Sequence, residues 1–387
     1  MYDNTLLNHI VEEGRLDQPS IVNRKASFEA FEQLAYPVWK RLREKDTSVP
    51  DYHPYNNQKI LFQKQDGVAI TPTPSQSDAI AQLVADNVYG PSEKHRTLTE
   101  SFANAGTFIE IQAGVVVEEA IILKLELNKD NPLLLDRHTL TVGRGAKVTL
   151  VLDYSDDGTA VYHNGLLNIV AEQDAQIRVV KIQNLSEHST HVYGGLSILA
   201  RDAEVHFNSI DLGAKLTVTD YSTYLHGENV KSIVDSIYLG EGKSKLDLGY
   251  NIYHKGRRTE SEITIKGALL DETRKVFRGN LFFAKGAVKA HGSEQEYVIL
   301  LNDKVKSDSI PALLCDEDDV QGEHAASAGQ VDGNKLFYLM SRGLTEKEAK
   351  ELIIMASFAS VIEQLPIEGL KERIHKTVGE KLHRTYQ

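Results

Sequence analysis

A short phrase returns along the middle of the chain: a turn residue, a small residue, then alternating apolar positions. It reads Gly145-Ala146-Lys147-Val148, Asp174-Ala175-Gln176-Ile177, Asp202-Ala203-Glu204-Val205 and Gly286-Ala287-Val288, with first intervals of 29 and 28 residues and less regular ones later. A unit of that size with no helical periodicity between its strands cannot bury an apolar face alone, so copies must stack. Between about 106 and 298 the β-type runs are short (107–111, 115–117, 147–152, 177–182) and broken by Gly, Asn and Asp. Polar residues such as Thr149 and Asp153, or Arg178 and Lys181, read as outward positions. A mainly β fold with a right-handed parallel β-helix core fits best. Alternation does not fix strand direction, so an antiparallel sandwich stays open.

Helical patterns flank this body. Phe28, Phe31, Leu34 and Ala35 share a face that Pro37 interrupts, and Trp39 reads as an aromatic anchor onto the next domain. An irregular connection with a short strand at 59–63 leads to helices over 77–88, capped by Ser77, and 94–105. After Gly343 the spacing is helical again. Thr345 and Glu348 form a capping-box signature, Ala349, Leu352, Ile353 and Ala356 share an apolar face, and a last helix over 367–383 aligns Leu370, Ile374, Val378 and Leu382. Three units follow: an N-terminal helical region with its connection (1–105), the β-helix core (106–320) and a C-terminal helical unit (321–387).

Composition removes several function classes. Forty-three basic against fifty-five acidic residues give a formal charge of −12, which argues against nucleic-acid binding. No apolar run approaches the ~18 residues of a membrane helix, and residues 1–15 lack the basic and apolar regions of a secretory signal. The single cysteine, Cys315, excludes an internal disulfide and an all-cysteine cluster within one chain, and points to a reducing cytoplasm. Following Leu313-Leu314, it reads as a buried small side chain.

Catalytic motifs are incomplete. Gly242-Lys243-Ser244 ends like a phosphate-binding loop but has Ile237 where the loop needs glycine. His188 and His191 lack the intervening glutamate of a zinc hydrolase and read as a polar loop. Asp153, Asp156 and Asp157 resemble the paired acids of a carbohydrate-active β-helix, although Asp-Asp-Gly is also a plain turn. That enzyme class is the competing reading.

The densest mix of unusual residues lies at 309–344. Between 316 and 323 five of eight residues are carboxylates, and His324 follows at once, then the small residues 325–329. An imidazole beside carboxylates suits Fe(II). Pro311, Asp319-Val320, His324, the small-residue turn after it, Leu336-Phe337-Tyr338-Leu339 and Ser341-Arg342-Gly343-Leu344 together resemble the SufB/SufD group, scaffold proteins of the SUF system for iron–sulfur cluster assembly. The likeness continues through 345–365, with Ala349 and Phe358, and back to Val276-Phe277-Arg278-Gly279. Scarcity of cysteine and Glu323-His324-Ala325 favour the SufD side of the group. Gly322 stands where some of its members carry cysteine.

The resemblance implies a non-catalytic scaffold that pairs with SufB, or with a second copy when SufB is absent, and binds the SufC ATPase through its helical end. It implies no permanent cofactor but a transient cluster or iron shared with SufB. His324 is the implied cluster-handling or metal-binding residue, with Glu323 a weaker ligand or proton acceptor. Phe337, Tyr338, Arg342, Leu352 and Phe358 are the partner-binding candidates, although the first three equally suit packing at the junction of body and helices.

Overall fold

The structure, a computed structural model, describes residues 2–13, 18–44, 48–72 and 78–385. Helices α1 (Asn4–Glu13) and α2 (Gln18–Gln33) precede strands β1 (Gln58–Leu61) and β2 (Val68–Thr71) and helices α3 (Asp78–Ala85) and α4 (Glu93–Phe102). Ser77, the expected cap of α3, lies outside the described residues. The body comprises β3 (Ala105–Ile111), β4 (Ile121–Leu127), β5 (Leu133–Val142), β6 (Lys147–Asp156), β7 (Tyr162–Ala171), β8 (Gln176–Asn184), β9 (Thr190–Leu199) and β10 (Glu204–Asp211). It continues through β11 (Leu216–Leu225), β12 (Lys231–Gly240), β13 (Lys245–His254), β14 (Glu260–Leu269), β15 (Arg274–Phe283), β16 (Ala290–Leu300), β17 (Lys306–Ser309), β18 (Ala312–Cys315) and β19 (Val320–Gln330). Helices α5 (Gly333–Ser341), α6 (Glu346–Ile362) and α7 (Glu368–Thr385) follow.

The chain alternates between two sheets, one ordered β1-β4-β6-β8-β10-β12-β14-β16-β19 and the other β2-β3-β5-β7-β9-β11-β13-β15-β17, with β18 also on β15. Among the described strands only β1 on β4 and β2 on β3 pair antiparallel. The result is a parallel β-solenoid of about 8 turns. This matches the parallel β-helix expectation and removes the antiparallel sandwich.

The recurring phrase is the corner of each coil. Gly145, Asp174, Asp202, Asn229, Arg258 and Lys289 all have φ between 53° and 66°. Each backbone N–H donates to the neighbouring coil, to the carbonyls of Gln173, Arg201, Glu228, Arg257, Val288 and Asp319 respectively. At this corner a left-handed residue turns the chain, and its amide ties two coils together. Glycine and aspartate tolerate that conformation, which made the early copies visible. Asn229, Arg258 and Lys289 hold the same place with less obvious residue types. Gly286-Ala287 therefore lies a few residues ahead of the true corner at Lys289-Ala290.

The lumen is filled chiefly by apolar side chains, among them Leu150, Val179, Phe207, Val234 and Ile263. On the outer face of the β4–β19 sheet, Val180, Ile210 and Ile237 meet Phe358, Ile354, Ile374 and Val378 of α6 and α7. The predicted register of Leu370, Ile374, Val378 and Leu382 holds, and Thr345 and Glu348 form a full capping box. In α6, however, Ala349, Ile354, Phe358, Val361 and Ile362 are buried while Leu352 and Ala356 face out. The helix is apolar on more than one side, and the sheet selects the side with the larger residues. On the opposite face, Phe28, Phe31, Leu98 and Phe102 pack on Leu133, Leu135 and Tyr162. Trp39 packs on Val192, Leu216 and Val218, which is the anchor role its position suggested.

Two outward assignments are corrected. Lys181 points into the lumen, fully buried, 2.8 Å from Asp211. His191, read as part of a polar loop, is also fully buried, with its Nδ1 2.8 Å from His163 Nδ1 and its Nε2 3.4 Å from Lys181 Nζ. Asp136 completes this line by accepting from His138, His163 and Tyr154, and the two imidazoles hold its carboxyl well below the usual range against the opposing effect of burial. A buried carboxylate with three donors is satisfied, so the line stands as internal structure.

Candidate functional site at the open end of the solenoid

The two ends of the solenoid differ. At the start, β1 and β2 run antiparallel to their neighbours and close the first coil. At the other end, β19 is the last strand of one sheet, and β17 and β18 are the last of the other. No described element pairs with their outer edges, and most of β19 is exposed. A parallel sheet is normally covered, and an unpaired edge is a template for another chain.

The stretch expected to be a small-residue turn after His324 is instead strand β19, so the solenoid runs on to Gln330 before the helices begin. Ala325, Ala326, Ser327, Ala328 and Gly329 suit a strand pressed against its neighbour as well as a turn, and pairing with β16 decides. In that register Ser293 pairs with Glu323, Glu294 with His324 and Glu296 with Ala326. Paired residues of neighbouring parallel strands share a face. Ala290, Gly292, Glu294, Glu296 and Val298 are the buried, lumen-facing members of β16. Gly322, His324, Ala326 and Ala328 are therefore the lumen-facing members of the last coil, and Glu323 points the other way. The two expected site residues are thus separated: His324 overlooks the mouth of the lumen and Glu323 the outer face. Both are exposed.

Beneath His324 lie two buried carboxylates with opposite circumstances. Glu296 accepts from Lys275 Nζ at 2.5 Å, from Tyr238 Oη at 3.1 Å and from the Ser309 hydroxyl. Lys275 is itself fully buried, and burial pulls its ammonium below the usual range while Glu296 opposes this. Glu294, 1% exposed, has no hydrogen-bond partner on either carboxylate oxygen. Burial, then the neighbouring charge of Glu296, pushes it up to about 7. An unpartnered buried carboxylate costs several kcal/mol, so it demands a proton, a donor or a cation.

Gly279 explains how Glu294 is accommodated. A Cβ there would meet Glu294 Cγ at 2.6 Å and Cδ at 2.9 Å. The Val276-Phe277-Arg278-Gly279 motif thus leaves a recess across the lumen that the Glu294 side chain fills. Sequence reasoning missed Glu294, because it lies thirty residues from His324. The signals were the glycine and an alternating His291, Ser293 and Gln295 against Glu294 and Glu296. A Cβ at Gly322 would lie 2.5 Å from Leu313, so that position admits a side chain only if Leu313 moves.

The remaining candidates scatter. Cys315, expected buried, is exposed, because β18 is an edge strand that nothing described covers. Phe337 and Tyr338 are 74% and 56% exposed on α5, Arg342 stacks on the Tyr338 ring at 5.2 Å, and Leu352 is exposed on α6. Phe358 is fully buried against the sheet and belongs to packing, not to an exposed partner face. Among the described residues no three His, Cys, Asp or Glu side chains gather as a metal site, and no helix is long and apolar enough to cross a membrane. The suspected acid pair is already engaged. Arg373 holds Asp153 with bonds of 2.7 and 2.9 Å, and Asp156 accepts from Gly158, Ser186 and Ser189.

Comparison with known proteins gives a consistent picture. The family described as "SUF system FeS cluster assembly, SufBD core domain" matches residues 125–357. The iron-sulfur cluster assembly protein SufD of Bacillus subtilis is 29% identical over 320 residues, covering 81% of this chain and 72% of that protein. Iron-sulfur cluster assembly SufBD family proteins of Staphylococcus saprophyticus and Staphylococcus haemolyticus are 27% and 26% identical, each over 82% of this chain and 69% of the relative.

Proposed function

The chain belongs to the SufBD family of the SUF system for iron–sulfur cluster assembly, and from that premise we propose that it is a SufD-type scaffold subunit that catalyses no reaction itself. It pairs with SufB through the open end of the solenoid, each sheet continuing across the interface, and a second copy of this chain uses the same edge when SufB is absent. The SufC ATPase docks on the exposed surface of α5 and α6 around Phe337, Tyr338, Arg342 and Leu352. Its nucleotide hydrolysis shifts the two scaffolds and opens their interface. His324 holds or passes iron or a nascent cluster there with ligands from SufB, so the metal is cargo and not a resident cofactor. A reducing cytoplasm suits this chemistry and the lone exposed thiol.

The observation that carries this reading is the asymmetry of the solenoid: one end closed by antiparallel strands, the other open, with His324 on its last strand. The carbohydrate-active alternative gains nothing, because the acids it needs are engaged by Arg373 and by backbone and hydroxyl donors. The test is to purify the chain with SufB and SufC, wild type and His324→Ala, and reconstitute anaerobically with iron and sulfide. An intact complex whose cluster content falls several-fold in the variant supports the site. Unchanged cluster content removes His324 from the mechanism, and failure to form any complex removes the scaffold reading.

A further inference from the structure

We infer that Glu294 is a second ligand beside His324, so that this chain alone presents a two-donor half-site for a divalent transition-metal ion such as Fe(II). The inference rests on the scaffold reading only for why iron reaches this end of the molecule. Glu294 and His324 are register partners on adjacent parallel strands, facing the same lumen. Such strands lie ~4.8 Å apart at the backbone, so the two side chains need lean together only slightly for a carboxylate oxygen and an imidazole nitrogen to come within the ~4 Å that one ion bonded at ~2.0–2.2 Å to each spans.

The carboxylate has no other partner. Lys275, the nearest buried cation in the lumen, is taken up by Glu296, the Asp308 carbonyl and Ser309. Glu294 is left with two oxygens unsatisfied although only 1% exposed, and the recess at Gly279 keeps it aimed across the lumen. His324, directly above, makes no hydrogen bond or ion pair among the described residues. A divalent cation supplies what the pair lacks: it neutralises the buried charge and coordinates the free imidazole. One oxygen and one nitrogen donor suit Fe(II) better than Ca(II) or Mg(II), which prefer all-oxygen shells. Water completes the shell in the isolated chain, and partner ligands replace it in the complex. Among the described residues no third acidic, histidine or cysteine side chain gathers with this pair as a metal site.

The experiment uses the full-length chain with Co(II) as a spectroscopic stand-in for Fe(II), titrated by calorimetry and visible absorption. Wild type, Glu294→Gln, His324→Ala, the double variant and Glu262→Gln, an exposed control on β14, are compared, with a thermal melt of each. The expected result is one Co(II) per wild-type and control chain. Affinity falls at least tenfold in either site variant and little further in the double variant, while Glu294→Gln melts no lower than wild type. Wild-type affinity in Glu294→Gln, or no Co(II) binding by the wild-type chain, overturns the inference. Cluster content in the complex with SufB and SufC separates the two readings: loss with His324→Ala but not with Glu294→Gln keeps the scaffold site and rejects Glu294 as a ligand.

Discussion

Glu294 and Glu296 stand two residues apart on one strand, face the same way and are equally buried, yet one has three donors and the other none. That contrast has a measurable consequence for stability. The folded carboxyl of Glu294 titrates near about 7, whereas the unfolded one titrates near 4.5. Between those values the folded state keeps a proton that the unfolded state has released, so this residue makes stability fall as pH rises through the window. At 1.36 kcal/mol per pH unit the full effect is ~3 kcal/mol. Glu294→Gln removes it. In metal-free denaturant titrations the variant gains on wild type as pH rises from about 4.5 and levels off above about 7. A gap that does not change with pH would show that Glu294 finds a partner in solution.

At the scale of elements, the solenoid was legible where physics leaves few residue choices and illegible where it leaves many. The corner needs a left-handed residue followed by a small or apolar one, and Gly145, Asp174 and Asp202 advertise it. Arg258 and Lys289 adopt the same φ because the coils on either side hold them there. Strand direction was hidden, since alternation is the same in parallel and antiparallel sheets. Lys181 and His191 were misplaced for one reason: a charged or polar residue reads as exposed until its partner, here Asp211 or His163, is brought close by another coil. His324 was singled out by its motif, whereas its pairing with Glu294 is fixed only by the register of β16 and β19. The helical end was half legible. Its capping box and the α7 face were written locally, whereas the side of α6 that meets the sheet was chosen by packing. Phe358→Ala should therefore destabilise the chain by ~3–5 kcal/mol and loosen α6 and α7 from the sheet. Far-UV and near-UV circular dichroism during denaturant unfolding would reveal the loss, and a cost under ~1 kcal/mol would mean that Phe358 is not the anchor of that layer.

At the scale of the molecule, the solenoid is a rod with one finished end. Helices carrying Phe28 and Phe102, with the segment carrying Trp39, pack on one face and those carrying Phe358 and Ile374 on the opposite face, while the final coil keeps an outer edge that no described element pairs. There, alternate backbone amides of β19 bond to β16 while the others point outward. If a second scaffold continues the sheet, those outward amides gain partners on assembly. Hydrogen–deuterium exchange over residues 320–330, in the chain alone and in its complex with SufB and SufC, tests this most directly. The account predicts fast exchange at the outward positions of the isolated chain and at least tenfold slowing in the complex. A stable complex in which residues 320–330 exchange as they do alone would place the partner elsewhere and contradict it.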